Sequence, residues 1–126
     1  MPVASAPVDQ WTHLAAIYTG SKVVLFRNGT ALDSSVVYGN IEWSSAPSEI
    51  TLGSFTKDGT TKYFNGHLDE VRIWNTVRTR QEIKVYRRVE LSGNETGLVG
   101  YWKIDEGTGN LVGDYSQYLN LSLIHI

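Results

Sequence analysis

The dipeptide Asn28-Gly29 stands between two short runs rich in β-branched and aromatic side chains, residues 23–27 and 31–37. Both residues tolerate the positive φ of a tight hairpin, so the chain is predicted to fold back there as two antiparallel strands. A preceding run, Trp11-Thr-His-Leu-Ala-Ala-Ile-Tyr18, joins the same meander through Thr19-Gly20-Ser21. Further strands are expected over residues 49–53, 64–74 and 98–104, with residues 54–62 a polar loop turning at Lys57-Asp58-Gly59. One helix interrupts them. Thr79-Arg-Gln-Glu82 fits a capping box, Ile83, Tyr86 and Val89 follow at three-residue spacing, and Gly93-Asn94 lies beyond as a stop. Short strands, Gly-marked turns and one short helix describe an all-β fold, an antiparallel β-sandwich.

Composition narrows the function. With 126 residues the chain has room for one domain and not two, given about 100–200 residues per domain. Its 11 Lys+Arg against 13 Asp+Glu leave 11 − 13 = −2, which argues against an electrostatic nucleic-acid binder. No apolar run approaches the roughly 18 residues of a membrane helix, so no membrane insertion is expected. Residues 1–7 lack the basic end and apolar stretch of a signal peptide. The absence of cysteine removes disulfides, thiolate metal sites and cysteine nucleophiles together. Residues 121–126, Leu-Ser-Leu-Ile-His-Ile, match the in-frame translation of a transposon-end sequencing adaptor, CTG TCT CTT ATA CAC ATC. They are expected to be an adaptor-derived tail on a metagenomic fragment, and the alternative is an ordinary apolar strand.

The ordered motifs resemble the laminin-G-like domains of the concanavalin A-like lectin/glucanase superfamily. Trp11-Thr-His-Leu-Ala15 is similar to the family's Trp-x-His-Val-Ala strand, and Val24-Leu-Phe-Arg-Asn-Gly29 to its Leu-Tyr-Val-Asn-Gly hairpin. Ile50-Thr-Leu-Gly53 matches its Ile-Gly strand, and Phe64-Asn-Gly-His-Leu-Asp-Glu-Val-Arg-Ile-Trp74 its Phe-x-Gly-x-Ile-Asp-Glu-Val-Arg-Ile-Trp signature. Residues 79–83 resemble the helix start that follows, so the likeness spans residues 11–90. It implies a jelly-roll sandwich, incomplete at its N-terminal side. Residues 1–97 would be the C-terminal part of one such domain. Residues 98–120 would be its final strand or, since residues 97–109 resemble the way such a module begins, the start of a following repeat. Tandem modules in one parent chain, at the cell surface or outside the cell, are the corresponding expectation.

The superfamily includes glycoside hydrolases, whose retaining members need two carboxylates about 5–5.5 Å apart. Their Glu-x-Asp-x-x-Glu pattern is absent, and the adjacent pairs Asp69-Glu70 and Asp105-Glu106 would point to opposite faces of a strand. The chain is therefore read as non-catalytic, with His13 structural. Pentraxin-type relatives carry an acidic calcium loop after their Leu-Gly strand, whereas Ser54-Phe-Thr-Lys57 stands there in this chain. A structural calcium site elsewhere is common in the superfamily, and by that resemblance Asp69 and Asp105 are candidate ligands with Asp114 a third. The alternative is that Asp69 caps a turn or pairs with Arg72 and that Asp105 begins a turn.

For sugar recognition the candidates are Trp43, in the loop-like stretch 40–47, and Tyr63 with Lys57 and Asp58 of the 54–62 segment. Trp11, Trp74 and Trp102 lie in strand motifs and are expected in the core. The cluster Arg78, Arg80, Lys84, Arg87 and Arg88 is expected as a solvated face of the helix. The leading expectation is a binding and adhesion module for carbohydrate or a glycoprotein surface. An accessory domain of a secreted glycoside hydrolase, or a spacer without ligand, are the alternatives.

Overall fold

The first hairpin forms where Asn28-Gly29 places it, in a computed structural model that describes residues 7–36, 51–119 and 122–123. Asn28 and Gly29 take φ of 50° and 79°, the two positive values a two-residue turn of this hand requires. The Asn28 N–H donates to the carbonyl of His13, and its Oδ1 accepts the His13 N–H, each at 2.9 Å. Strands β1 (Leu14–Tyr18), β2 (Lys22–Arg27) and β3 (Thr30–Val36) make an antiparallel meander in that order. Ala15 faces Phe26 and Ile17 faces Val24 across the β1–β2 ladder, so the alternation buries this face and leaves Leu14 and Ala16 exposed. Leu32 is the extra residue of a bulge between the rungs Leu25–Asp33 and Phe26–Ala31.

Strands β4 (Ser54–Lys57) and β5 (Thr60–Tyr63) form a second antiparallel hairpin. β6 (Val71–Trp74) pairs with β7 (Leu98–Trp102), and β8 (Leu111–Val112) with β9 (Ser122–Leu123). Helix α1 (Arg80–Tyr86) follows β6 in the chain. Its capping box is complete: Thr79 Oγ1 accepts the Glu82 N–H at 3.2 Å, and Glu82 Oε2 accepts the Thr79 N–H at 2.7 Å. Of the residues at three-residue spacing Ile83 is buried, whereas Tyr86 and Val89 are exposed.

Two compact units result, residues 1–40 with 74–91 and residues 41–73 with 92–126. In the first, the hairpin turn lies against the helix: a Cβ on Gly29 would sit 2.9 Å from the Lys84 Cα, so only glycine fits. Phe26, Ile83 and Leu91 are buried there. Arg78 stacks its guanidinium 4.1 Å from the Trp74 ring centroid and 5.7 Å from that of Tyr86, and reaches Glu82 at 3.2 Å. The basic cluster is thus not uniformly solvated. Arg78 is a packing group, while Arg80, Lys84 and Arg88 are exposed.

The second unit is centred on Tyr101, fully buried, with Leu98, Trp102, Val112, Asp114 and Ser116. Several expectations are corrected here. Of the expected strand 64–74 only residues 71–74 form a strand, because Glu70 adopts φ 54° and breaks the extended run. Asp69-Glu70 and Asp105-Glu106 consequently lie outside any strand, and the strand-alternation argument does not apply to them. Residues 51–53 carry no strand, and residues 49–50 lie outside the described residues. The expected polar loop is the β4–β5 hairpin. Trp102 is buried as expected, but Trp11 is 68% exposed, because it precedes β1 and has no ladder to seat it.

Candidate functional site

The β4–β5 hairpin carries the sequence-selected residues Lys57, Asp58 and Tyr63. Asp58 and Gly59 take φ of 50° and 75°, which repeats the turn geometry of Asn28-Gly29. Asp-Gly is the companion hairpin dipeptide to Asn-Gly, so the same rule that found the first hairpin could have found this one. The polar flanks Ser54-Phe-Thr-Lys57 and Thr60-Thr-Lys-Tyr63 concealed it, because neither has an apolar face to bury.

The register divides the hairpin into two faces. Ser54 opposes Tyr63 and Thr56 opposes Thr61, and the Thr56 and Thr61 hydroxyl oxygens lie 2.8 Å apart, as neighbours on one face must. Phe55 opposes Lys62 and Lys57 opposes Thr60 on the other. The Phe64 N–H donates to the Gly53 carbonyl at 2.8 Å and extends the ladder by one step, which brings Phe64 to the side of Phe55 and Lys62. Tyr63 is 80% exposed, Phe55 63% and Phe64 58%. Tyr63 and Lys57, named together as candidates, therefore stand on opposite faces of one ribbon. Trp43 lies outside the described residues.

Phe64 is anchored from below. A Cβ on Gly66 would come within 2.7 Å of the Phe64 ring, so the ring lies directly over that glycine. Leu68 approaches Gly53 in the same way, 3.5 Å from where its Cβ would be. These contacts tie the open end of the hairpin to the segment that leads into β6.

Among the described residues, the carboxylates that the family resemblance names as calcium ligands stand apart. Asp114 is 5% exposed, and its Oδ1 accepts the N–H of Tyr101 at 2.9 Å and that of Ser116 at 2.8 Å. Its Oδ2 accepts the Ser116 hydroxyl at 2.9 Å. Among the described residues no three His, Asp or Glu side chains gather around a point, so Asp69, Asp105 and Asp114 are not brought together. Asp69 and Asp105 are exposed.

Sequence reasoning missed a polar network built by Glu70. Its left-handed backbone turns the carboxylate to accept the Tyr101 hydroxyl, at 2.9 and 2.8 Å from its two oxygens, and to pair with Arg72. Arg72 lies 5.4 Å from the Tyr101 ring centroid, and Lys103 lies 4.7 Å from that of Tyr115. The partner of Arg72 is thus Glu70 rather than Asp69, the alternative considered for it. A positive φ at a glutamate has no sequence signature. Glu106 is occupied too, its Oε1 accepting the Gly113 N–H at 2.9 Å.

Comparison with known proteins fits this geometry. The family model of the concanavalin A-like lectin/glucanases superfamily, laminin-G-like type, matches residues 2–84. Mouse (Mus musculus) pappalysin-1 is 28% identical over 74 residues, 59% of this chain and 5% of pappalysin-1. A solved Bacteroides ovatus protein, provisionally described as carbohydrate-binding, superposes with a TM-score of 0.68 at 20% identity, over 96% of this chain and 38% of that one. The chain thus spans a small part of either relative. Among the described residues no helix is long and apolar enough to cross a membrane. The mostly β, antiparallel architecture with one short helix is that of the concanavalin A-like jelly roll, and the chain belongs to the laminin-G-like members of that superfamily.

Proposed function

We propose that the chain is part of a non-catalytic carbohydrate-binding module, and that the β4–β5 hairpin makes the contact. One observation carries this reading: Tyr63 stands 80% exposed on the face that holds Ser54 and the Thr56 and Thr61 hydroxyls. A flat aromatic ring offers apolar area to the C–H face of a pyranose, and flanking hydroxyls supply donors and acceptors for its rim. Loops and hairpin tips on a rigid β scaffold are the usual seat of recognition. The Bacteroides ovatus relative, described provisionally as carbohydrate-binding, supports the ligand class.

The occupied states of Glu70, Glu106 and Asp114 support the non-catalytic part of the reading, since each carboxylate serves the fold. The module acts in adhesion at the cell surface or outside the cell, in a parent chain with further modules. The test is affinity electrophoresis of the wild-type chain and Tyr63→Ala through gels that contain neutral polysaccharides such as dextran, xylan and β-glucan. Retardation of the wild type that Tyr63→Ala abolishes without change in the melt supports the proposal. Equal mobility of both proteins in every gel overturns it.

A further inference from the structure

The fold treats its two Asn-Gly pairs, Asn28-Gly29 and Asn65-Gly66, differently. Asparagine before glycine is open to cyclisation. The glycine nitrogen can attack the asparagine side-chain carbonyl carbon, and no side chain on the second residue crowds the approach. The asparagine side chain must swing back over its own backbone to react, so a pair held in one conformation is protected. Asn28 is held. Its φ of 50° is set by the turn, its Oδ1 accepts the His13 N–H, and its own N–H donates to the His13 carbonyl, each bond at 2.9 Å. Gly29 is buried, with no room for a Cβ beside Lys84. Cyclisation there requires the hairpin to open locally.

Asn65 is in the opposite state. It lies in the irregular segment between two anchored amides, the Phe64 N–H on the Gly53 carbonyl and the Glu70 N–H on the Lys103 carbonyl. Residues 65–69 are exposed, and among the described residues neither Asn65 nor Gly66 makes a hydrogen bond. The Phe64 ring comes within 2.7 Å of where a Cβ on Gly66 would be, so packing keeps residue 66 a glycine. The contact that anchors the hairpin thereby preserves the pair that reacts.

We infer that Asn65 is a site of spontaneous self-modification, and that Asn28 is spared by its hairpin. The Gly66 nitrogen bonds to Cγ of Asn65, the Cγ–Nδ2 bond breaks, and the amide leaves as ammonia with the Gly66 proton. Water then opens the succinimide ring. Attack at Cγ gives an ordinary aspartate, whereas attack at the main-chain carbonyl gives isoaspartate, with the backbone routed through the side-chain methylene. Either product places a carboxylate two residues from Tyr63, and isoaspartate lengthens the link between β5 and β6. None of these steps depends on what the hairpin binds.

The test is ageing of the full chain at physiological temperature in mildly alkaline buffer made with heavy-oxygen water, beside the same chain in concentrated urea. Mass spectrometry of the peptides spanning residues 28 and 65 reads the loss of ammonia and the uptake of heavy oxygen. In urea the two pairs should convert at similar rates. In the folded chain Asn65 should keep close to its rate in urea. Asn28 should fall at least about tenfold below its own, the factor for losing two hydrogen bonds on opening. Asn65→Gln should remove the fast product and leave Asn28 slow. Protection of Asn65 equal to that of Asn28 in the folded chain, or conversion of Asn28 as fast as Asn65, overturns the inference.

Discussion

Replacing Asp114 probes the centre of the second unit. In Asp114→Ala the buried N–H groups of Tyr101 and Ser116 lose their acceptor together. Each orphaned buried donor costs about 1–3 kcal/mol, so the pair should cost about 2–6 kcal/mol. For a chain of 126 residues, about 2.1 cal/mol/K per residue makes the unfolding entropy about 0.26 kcal/mol/K, or about 4 °C per kcal/mol. Asp114→Ala should therefore lower Tm by about 8–24 °C. Asp114→Asn keeps one carbonyl oxygen for both N–H groups, loses charge assistance and puts an NH2 where Oδ2 accepted the Ser116 hydroxyl, about 1–2 kcal/mol together, so its Tm should fall by about 4–8 °C. Circular-dichroism melts of the three proteins with calcium and with chelator make the assay. Melts of Asp114→Ala within about 2 °C of wild type would refute the reasoning, because no orphaned donor is that cheap. A wild-type Tm raised by calcium and lost in Asp114→Asn would restore Asp114 as a metal ligand.

Four other perturbations test the rest. Gly93→Ala should be far more costly than Gly107→Ala although both have positive φ, because its Cβ would lie 2.0 Å from the Tyr115 carbonyl oxygen while Gly107 faces open space; equal urea midpoints would contradict this. Thr79→Ala should cost about 1 kcal/mol by denaturant titration through loss of the N-cap. Arg78→Lys should change Trp fluorescence and lower stability by about 1 kcal/mol, because an ammonium cannot stack on Trp74 as a guanidinium does. Burial pushes the Glu95 carboxyl up, but hydrogen bonds from Ser92 and Gly93 outweigh it and hold the group below the usual range. A lowered folded-state value means stability that is present above the unfolded carboxylate range and lost as pH falls through the folded value. Carboxyl chemical shifts should show Glu95 titrating below the usual glutamate range, and a midpoint at or above that range would count against the geometry.

Local rules of fixed spacing were the legible part. Asn28-Gly29 specifies its hairpin because few residues accept two positive φ values in succession, and Thr79 with Glu82 specifies a helix start through a reciprocal pair of hydrogen bonds. The second hairpin was half legible: its Asp58-Gly59 turn is marked, but Thr, Lys and Ser on both strands hide the alternation that binary patterning needs. The Glu70 network was illegible, since a left-handed glutamate is selected by the tertiary partners Tyr101 and Arg72 rather than by its neighbours. The calcium expectation came from family likeness, and among the described residues the three carboxylates it names do not gather at one point. Tyr63 was chosen for its type, and only the register shows which groups share its face.

The central claim is that the β4–β5 hairpin is the ligand surface. Backbone amide shifts of the isotopically labelled chain, followed while a neutral β-glucan oligosaccharide is added, test it directly. The account predicts the largest changes at residues 53–64, centred on Thr56, Thr61 and Tyr63, with the β1–β3 meander unmoved. Saturable shifts confined to residues outside that hairpin, or none at all, would contradict it.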